Sequence, residues 1–394
     1  MIDRRYVCVL CVNDEDLQET IRNNSVSKEC SFCGRRSRVP IAADLSDVVE
    51  HIRASIESEY DLAADWLPYE SAEGGYQGEY WDTADLLTHE IGLDLPNDRH
   101  GSLLSAIVDA IGMEDWCNRD PFTLTPRDKI RYDWRAFSNL IKHKKRYFFL
   151  DETSSRTTGH VRPDESLSPS RLLSDIIRYA HECHLFVEYP IGFTLHRARG
   201  QWNGRIVATP EELGPPPEEK ATQANRMSPA GIVMFYGSLK AETAVAEISK
   251  KPGPYMVGLF KTIKPVTILD LSKLPPAPSF FYQLPDSVEY DPTPALRFLN
   301  ALSRKIALPI AKDRSEHIEY VPTQVVTEYI RTKNLPGSQK ASGIVYPSAA
   351  HRGGFSAVLF ATQQDILGTR AAKGHLPGFR DPWLKLSTAK IFPK

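Results

Sequence analysis

The chain has 394 residues, too many for one ordinary core, so two or three domains are expected, and its hydrophobic share of 41% and charged share of 25% are those of a soluble globular protein. A net charge of -2 argues against a globally basic nucleic-acid binder, although it leaves room for a local basic patch. No apolar run approaches the roughly 18 residues that span a bilayer, and "MIDRRYVCVLCVND" lacks the apolar core of a signal peptide, so no membrane role is expected and the cytoplasm is the default compartment.

In chain order, the first region, residues 1–42, is short and polar with almost no core of its own. It carries Cys8, Cys11, Cys30 and Cys33 as two C-x2-C pairs. Each pair lets two thiolates share one tetrahedral centre across a tight turn, and the intervening segment brings the second pair round. A segment this polar has little else to fold around, so a zinc-ribbon or knuckle is favoured over four unligated thiols. Four cysteines fill the coordination sphere, which makes the expected Zn2+ structural. Cys117 and Cys183 stand alone in helix-like segments and read as small buried hydrophobes.

Residues 43–150 read as a mostly helical domain. In "DLSDVVEHIRASIESEY", Leu45, Val48, Val49, Ile52 and Ile56 fall at helical spacing, with Asp44 as N-cap. "SLLSAIVDAIGM" and "RAFSNLIKHKKRYFFL" repeat the pattern, and "ESAEGGYQGEYWD" interrupts it as a loop. Arg135 and His143 suggest the arginine–histidine pair of a metal-independent ribonuclease, but seven residues separate them, too many for the usual short form. A basic helix face on Lys142, Lys144, Lys145 and Arg146 is the favoured reading.

Residues 151–170, rich in Ser, Thr, Pro and charge, read as a linker. Residues 171–394 read as a mixed α/β domain. It opens with the helix "SRLLSDIIRYAHECHLFV", expected to end shortly before Pro190, on which His181 and His184 share a face as ordinary surface histidines. Short strands follow in "YMVGLF", "PVTILDLS", "GIVYPS" and "SAVLFA", with helices in "KAETAVAEISK" and "PTQVVTEYIRTK".

This last region carries the candidate site. Arg197 and Arg199 close an apolar stretch, Arg226 stands in a turn before a strand, and Tyr236 sits at that strand's end. Ser238 is the expected N-cap of the next helix, Glu247 lies on that helix, and Ser348 lies in a loop between two strands. Each alone has a structural explanation. Together they suit a nucleotide, because arginines grip a pyrophosphate, an aromatic ring stacks on a base and a carboxylate binds a ribose hydroxyl. Neither G-x-G-x-x-G nor a P-loop is present, so arginine-clamped recognition is the surviving option.

"LHRARG", "NRMSPAG", "VMFYGS", "TAVAEI", "EYVPTQVVTEYIR" and "GIVYPSAAHRGGFSAVLF", in that order from about Ile191 to Ala361, resemble the RES domain family of bacterial toxin–antitoxin systems. "FSNLIKHKKRYFFL" and the paired cysteines are similar to the HEPN-type domain that precedes some long RES proteins. The resemblance implies a fold like that of ADP-ribosyltransferase toxins, with a cleft for NAD+ as substrate. Family members degrade NAD+, some by phosphorolysis, and others transfer ADP-ribose to a protein. Matched by motif, Arg197 and Arg226 would grip the phosphates, Tyr236 would stack near the nicotinamide, Glu247 would be the catalytic carboxylate and Ser348 would complete the pocket. Methionine stands at position 227, where an aromatic is common in the family. Inorganic phosphate, an antitoxin or regulatory protein and a homo-oligomer remain open as partners, and the compact toxins lack this N-terminal extension. An RNA-binding or ribonuclease role for the N-terminal half is the alternative of another class, and a sensor restraining the C-terminal enzyme is a further one.

Overall fold

A computed structural model describes residues 4–72, 74–120, 126–150, 168–200, 207–248, 253–284, 291–308, 316–335, 339–373 and 381–392. Its contacts fall into two units, Met1–Lys129 with Ala277–Thr293, and Ile130–Pro276 with Pro294–Lys394.

In the first unit, β1 (Tyr6–Cys8) leads through a single 3-10 turn to α1 (Glu15–Asn23), then β2 (Ser25–Ser27) and β3 (Ala42–Asp44). These strands form an antiparallel sheet with β3 in the middle. Asp14 caps α1 by accepting from the amides of Asp16 and Leu17. Asp44 caps α2 (Leu45–Glu59) by accepting from Ser46, and the five apolar residues at helical spacing are all buried. The first 42 residues share a core with the elements that follow them. Val7, Leu17, Ile21 and three of the four cysteines are buried in one cluster with α2 and with Leu103 and Ile107. Alternating polar residues hid these positions because α1 presents only one narrow apolar stripe.

Beyond α2 come β4 (Tyr60–Leu62), α3 (Ala63–Trp66), β5 (Tyr69–Glu70), β6 (Gly75–Tyr76), β7 (Trp81–Asp82), α4 (Thr83–Asp85), α5 (Ser102–Ile111) and β8 (Asp115–Asn118). The glycine-rich stretch expected as a loop includes the β5–β6 hairpin, closed by Gly74 at φ +83°. Cys117 lies on β8, not on a helix; β8 is central in a small sheet between β4 and β7. Residues 277–293 also belong to this unit. Phe281 is buried in its core, its carbonyl lies 2.7 Å from His51 Nε2, and Ser279 Oγ donates to Asp16 Oδ2 at 2.6 Å.

The second unit begins within α6 (Pro126–Asn139), which runs into a π-helical turn, Leu140–Lys144. Most of the expected linker, residues 151–167, lies outside the described residues; Ser168 caps α7 (Pro169–Glu182). This helix is shorter than expected. Cys183 is its C-cap, His184 turns the chain at φ 54°, and β9 (Phe186–Tyr189) follows. His184 is therefore off the helix and shares no face with His181.

The remaining elements are β10 (Thr194–Gly200), α8 (Pro210–Leu213), β11 (Phe235–Ser238), α9 (Ala241–Ile248), β12 (Tyr255–Thr262), β13 (Val266–Asp270), α10 (Thr293–Ala307), α11 (Glu316–Glu319), α12 (Val321–Thr332), β14 (Gly343–Pro347), β15 (Phe355–Leu359), β16 (Ile366–Leu367), α13 (Arg370–Lys373) and β17 (Leu384–Phe392). They build a nine-stranded sheet ordered β16-β17-β12-β10-β11-β15-β14-β13-β9. Side chains alternate across it as the pleat demands. Ile344, Tyr346 and Val358 join one core with Ile176, Leu299 and Val326 of the helices, while Val345, Ala357 and Leu359 join another with Leu195 and Phe260.

Two local expectations change in this region. Tyr236 is the second residue of β11, not its end, because the apolar run before it is loop. Ser238 pairs with His196 and Ser356 inside the sheet, and α9 starts three residues later, so it is not an N-cap.

Candidate functional site

The site opens where the sheet splits. β10 pairs with β12 along its whole length, from Thr194 to Gly200, but meets β11 at one position only, His196 with Ser238. Past that bridge the two strands separate, and a cleft of about 410 Å³ fills the gap. Arg197, Arg199, Tyr236, Glu247, Tyr346 and Ser356 are among its lining residues.

Arg197 is only 8% exposed. Its Nη1 donates to the main-chain carbonyl of Tyr236, its guanidinium carbon stands 5.2 Å from the Phe235 ring centre, and its Nε is buried with no hydrogen-bond partner. Among the described residues no carboxylate pairs with it. Burial, with Arg199 as a like-charged neighbour, pushes the Arg197 guanidinium well below the usual arginine range. Burial also lowers Arg199, whose Nη2 donates to the Gly214 carbonyl at 3.3 Å. Two desolvated cations held by neutral acceptors are costly to bury, and an anion beside them would lower that cost.

Glu247 stands on the last turn of α9. Its Oε1 accepts from Ser348 Oγ at 2.6 Å and from Ser356 Oγ at 2.8 Å. Ser348 itself lies outside the cleft lining, in a loop where its Oγ also accepts from the amides of Ala350 and His351. That loop packs tightly on α9: His351 Nδ1 lies 2.7 Å from Thr243 Oγ1, and a Cβ on Gly354 would fall 2.5 Å from the same oxygen.

Tyr236 Oη and Ser228 Oγ are 2.9 Å apart, and burial pushes the Tyr236 phenol up to about 12, so it stays neutral. His196 also faces the cleft; burial lowers its pKa and nearby Glu242 partly offsets this. Arg226 does not line the cleft, although its neighbours Asn225 and Ser228 do. Its Nη1 donates to the Ile306 carbonyl and its guanidinium carbon lies 5.6 Å from the Tyr320 ring centre. α12 pins this turn: Thr323 Oγ1 donates to the Arg226 carbonyl at 2.6 Å, Gln324 Nε2 to that of Asn225 at 2.8 Å, and Thr327 Oγ1 to the Met227 sulfur at 3.1 Å. Met227 is thus a buried anchor of the turn.

The structure therefore brings Arg197, Tyr236 and Glu247 to one cleft, sets Ser348 behind Glu247 and turns Arg226 toward α10 and α12. Ser356, Ser228, Tyr346 and His196, which also line the cleft, escaped the sequence reading. The signal for Ser356 was a lone polar residue inside "FSAVLF", where an apolar side chain was the default.

In the first unit, Cys8, Cys11, Cys30 and Cys33 bring their sulfurs within 4.8 Å of one another. The Cys8–Cys33 and Cys11–Cys30 separations are both 3.6 Å and Cys8–Cys11 is 3.9 Å. Thiolates about 2.3 Å from a tetrahedral metal stand roughly 3.8 Å apart, so the donor set fits a four-sulfur metal centre. The hydrogen bond from the Cys11 thiol draws Cys30 down, whereas burial pushes Cys8 up. Elsewhere, Arg135 and His143 are exposed on α6 and its π-helical extension, and Lys142 of the basic face pairs with Glu319 at 2.6 Å. Among the described residues no helix is long and apolar enough to cross a membrane.

Residues 23–155 match HEPN/RES N-terminal domain 1, and residues 194–380 match the RES domain. No curated protein and no solved structure matches the chain. The RES family is associated with NAD+-related toxin activity. The RES match covers the strands and helices that build the cleft, from β10 through α12 to β15. The chain therefore belongs to the RES domain family, with a HEPN/RES N-terminal domain 1 ahead of the RES domain.

Proposed function

We propose that the RES domain of this chain consumes NAD+ by breaking the nicotinamide–ribose bond, through phosphorolysis or hydrolysis, as a bacterial toxin or anti-phage-type effector. The observation that carries this reading is the buried, carboxylate-free guanidinium of Arg197, with its unpartnered Nε, in the same cleft as Glu247. A diphosphate supplies the missing anion, and Arg199 lies on the same strand to share it. Arg226, bonded to the Ile306 carbonyl, holds the turn that brings Asn225 and Ser228 to the cleft lining.

Glu247 accepts a hydrogen bond from a hydroxyl of the nicotinamide ribose and stabilises the positive charge that develops at C1′. The C1′–N bond breaks with its electron pair moving to the pyridinium nitrogen, so nicotinamide leaves neutral. An oxygen of water or phosphate then bonds to C1′, and its proton passes to solvent. Tyr236 presents a neutral ring to the leaving nicotinamide, and Ser348 holds Glu247. A sheet split around a dinucleotide suits an architecture like that of ADP-ribosyltransferases. In the N-terminal unit, the metal held by the four cysteines is zinc, whose part is to fix the fold. A four-thiolate centre needs reduced cysteines, which suits a reducing compartment such as the cytoplasm.

The test is to incubate the protein with NAD+, with and without inorganic phosphate, and resolve the products by mass. ADP-ribose identifies hydrolysis, its 1″-phosphate identifies phosphorolysis, and a protein gaining ADP-ribose identifies transfer. Intact NAD+ in every condition rejects the reading.

A further inference from the structure

We infer that Ser356 is a positioning residue that, together with Ser348, fixes the Glu247 carboxylate in the cleft; the inference rests on the NAD+ reading above. Both hydroxyls donate to one oxygen, Oε1, at 2.6 and 2.8 Å. Oε2 has no hydrogen bond among the described residues, so it is the oxygen left to accept from a ligand hydroxyl. Without these donors Glu247 would be an exposed side chain on the final turn of a short helix, with the rotamer freedom that such a place allows.

The two serines hold it in different ways. Ser348 belongs to a loop held to α9 by His351, whose Nδ1 lies 2.7 Å from Thr243 Oγ1. Ser356 is 3% exposed on β15, paired with Ser238 on one side and Tyr346 on the other, in the middle of the sheet. A donor on a central strand is held more rigidly than one on a loop, and it is also the serine that lines the cleft. The two donors reach the same oxygen from the two arms of one hairpin: Ser348 stands just past β14, its amide bonded to the Gly354 carbonyl at 2.8 Å, and Ser356 lies on β15.

The experiment compares Ser356→Ala, Ser348→Ala and Glu247→Gln, singly and combined, after thermal melts confirm that each is folded. Losing a hydrogen bond to a charged group should lower kcat of Ser356→Ala roughly 10- to 100-fold, with the KM for NAD+ nearly unchanged. Because Ser356 acts through Glu247, Ser356→Ala should cause no further loss in the Glu247→Gln background. A full additional loss there overturns the inference, as does unchanged kcat in Ser356→Ala. Crystal structures of wild type and Ser356→Ala supply a readout independent of turnover. Glu247 should leave its position in the variant, and a carboxylate that stays put overturns the inference. A wild type without NAD+ turnover sinks the NAD+ reading, and the crystal structures then decide the positioning role alone.

Discussion

Arg197 on β10 donates through Nη1 to the main-chain carbonyl of Tyr236 on β11, across the gap where those strands have stopped pairing. The cation thus satisfies a carbonyl that the split sheet would otherwise orphan, while its charge stays uncompensated. One contact thus joins the two edges of the cleft and leaves a desolvated charge inside it.

Arg197→Met should separate stability from function. Removing an unpaired buried charge stabilises, while the orphaned Tyr236 carbonyl costs about 1–3 kcal/mol, so the two effects oppose. The melting temperature should stay within about 5 °C of wild type. The kcat/KM for NAD+ should fall about 100-fold or more, the scale of one lost charge-assisted contact to phosphate. Thermal melts and nicotinamide release measure the two quantities.

Glu247→Gln keeps the shape and the serine contacts but loses the charge that stabilises the oxocarbenium-like centre. A drop in kcat of about 100- to 1,000-fold with little change in KM is expected, as for an interaction made chiefly in the transition state. Chromatographic release of nicotinamide reads it. Equal loss of binding would move Glu247 from chemistry to recognition.

His196 gives the second unit an acid-sensitive point. Its folded pKa is lowered, first by burial, so below its unfolded value of about 6.5 the unfolded chain binds the proton more readily. Its contribution is intact above that pH and stability falls as pH drops, until the folded pKa is passed. Urea unfolding between pH 5 and 8 should show a shallower acid loss in His196→Gln than in wild type. An identical slope would place the acid sensitivity elsewhere.

The cysteine cluster should hold one zinc per chain, measured by elemental analysis. Cys30→Ser should abolish it and lower the melting temperature of the first unit, because Cys8, Cys11 and Cys30 are also buried in its core. Full zinc content in the variant would contradict a four-sulfur site.

A fragment of residues 130–394, which keeps Phe137 and Ile141 in the second unit's core, should be prone to aggregate. Phe281, 2% exposed in the full chain, packs with Phe280 against residues of the first unit, and the fragment leaves both rings without that core. Size-exclusion chromatography of the fragment, with and without Phe280→Ser and Phe281→Ser, checks this. A monodisperse wild-type fragment would show that the segment can repack on its own.

What the sequence determined by itself was local. The C-x2-C spacing fixes which sulfurs can share a centre, and the helical period of Leu45 to Ile56 predicts a buried face that α2 buries. The apolar runs at 255–262, 266–270, 343–347 and 355–359 become strands because each is short, β-branched or aromatic, and bounded by turn residues. What only the tertiary structure decided was which distant side chains meet. Ser356 reaches Glu247 across 109 positions, Arg226 turns to the Ile306 carbonyl 80 positions away, and residues 277–293 leave the unit on either side of them to bury Phe281 with α1 and α2. Periodicity encodes which face of an element is buried. The partner of that face is chosen by the packing of the whole sheet, and at the split between β10 and β11 the packing leaves Arg197 a strand's carbonyl in place of a counterion.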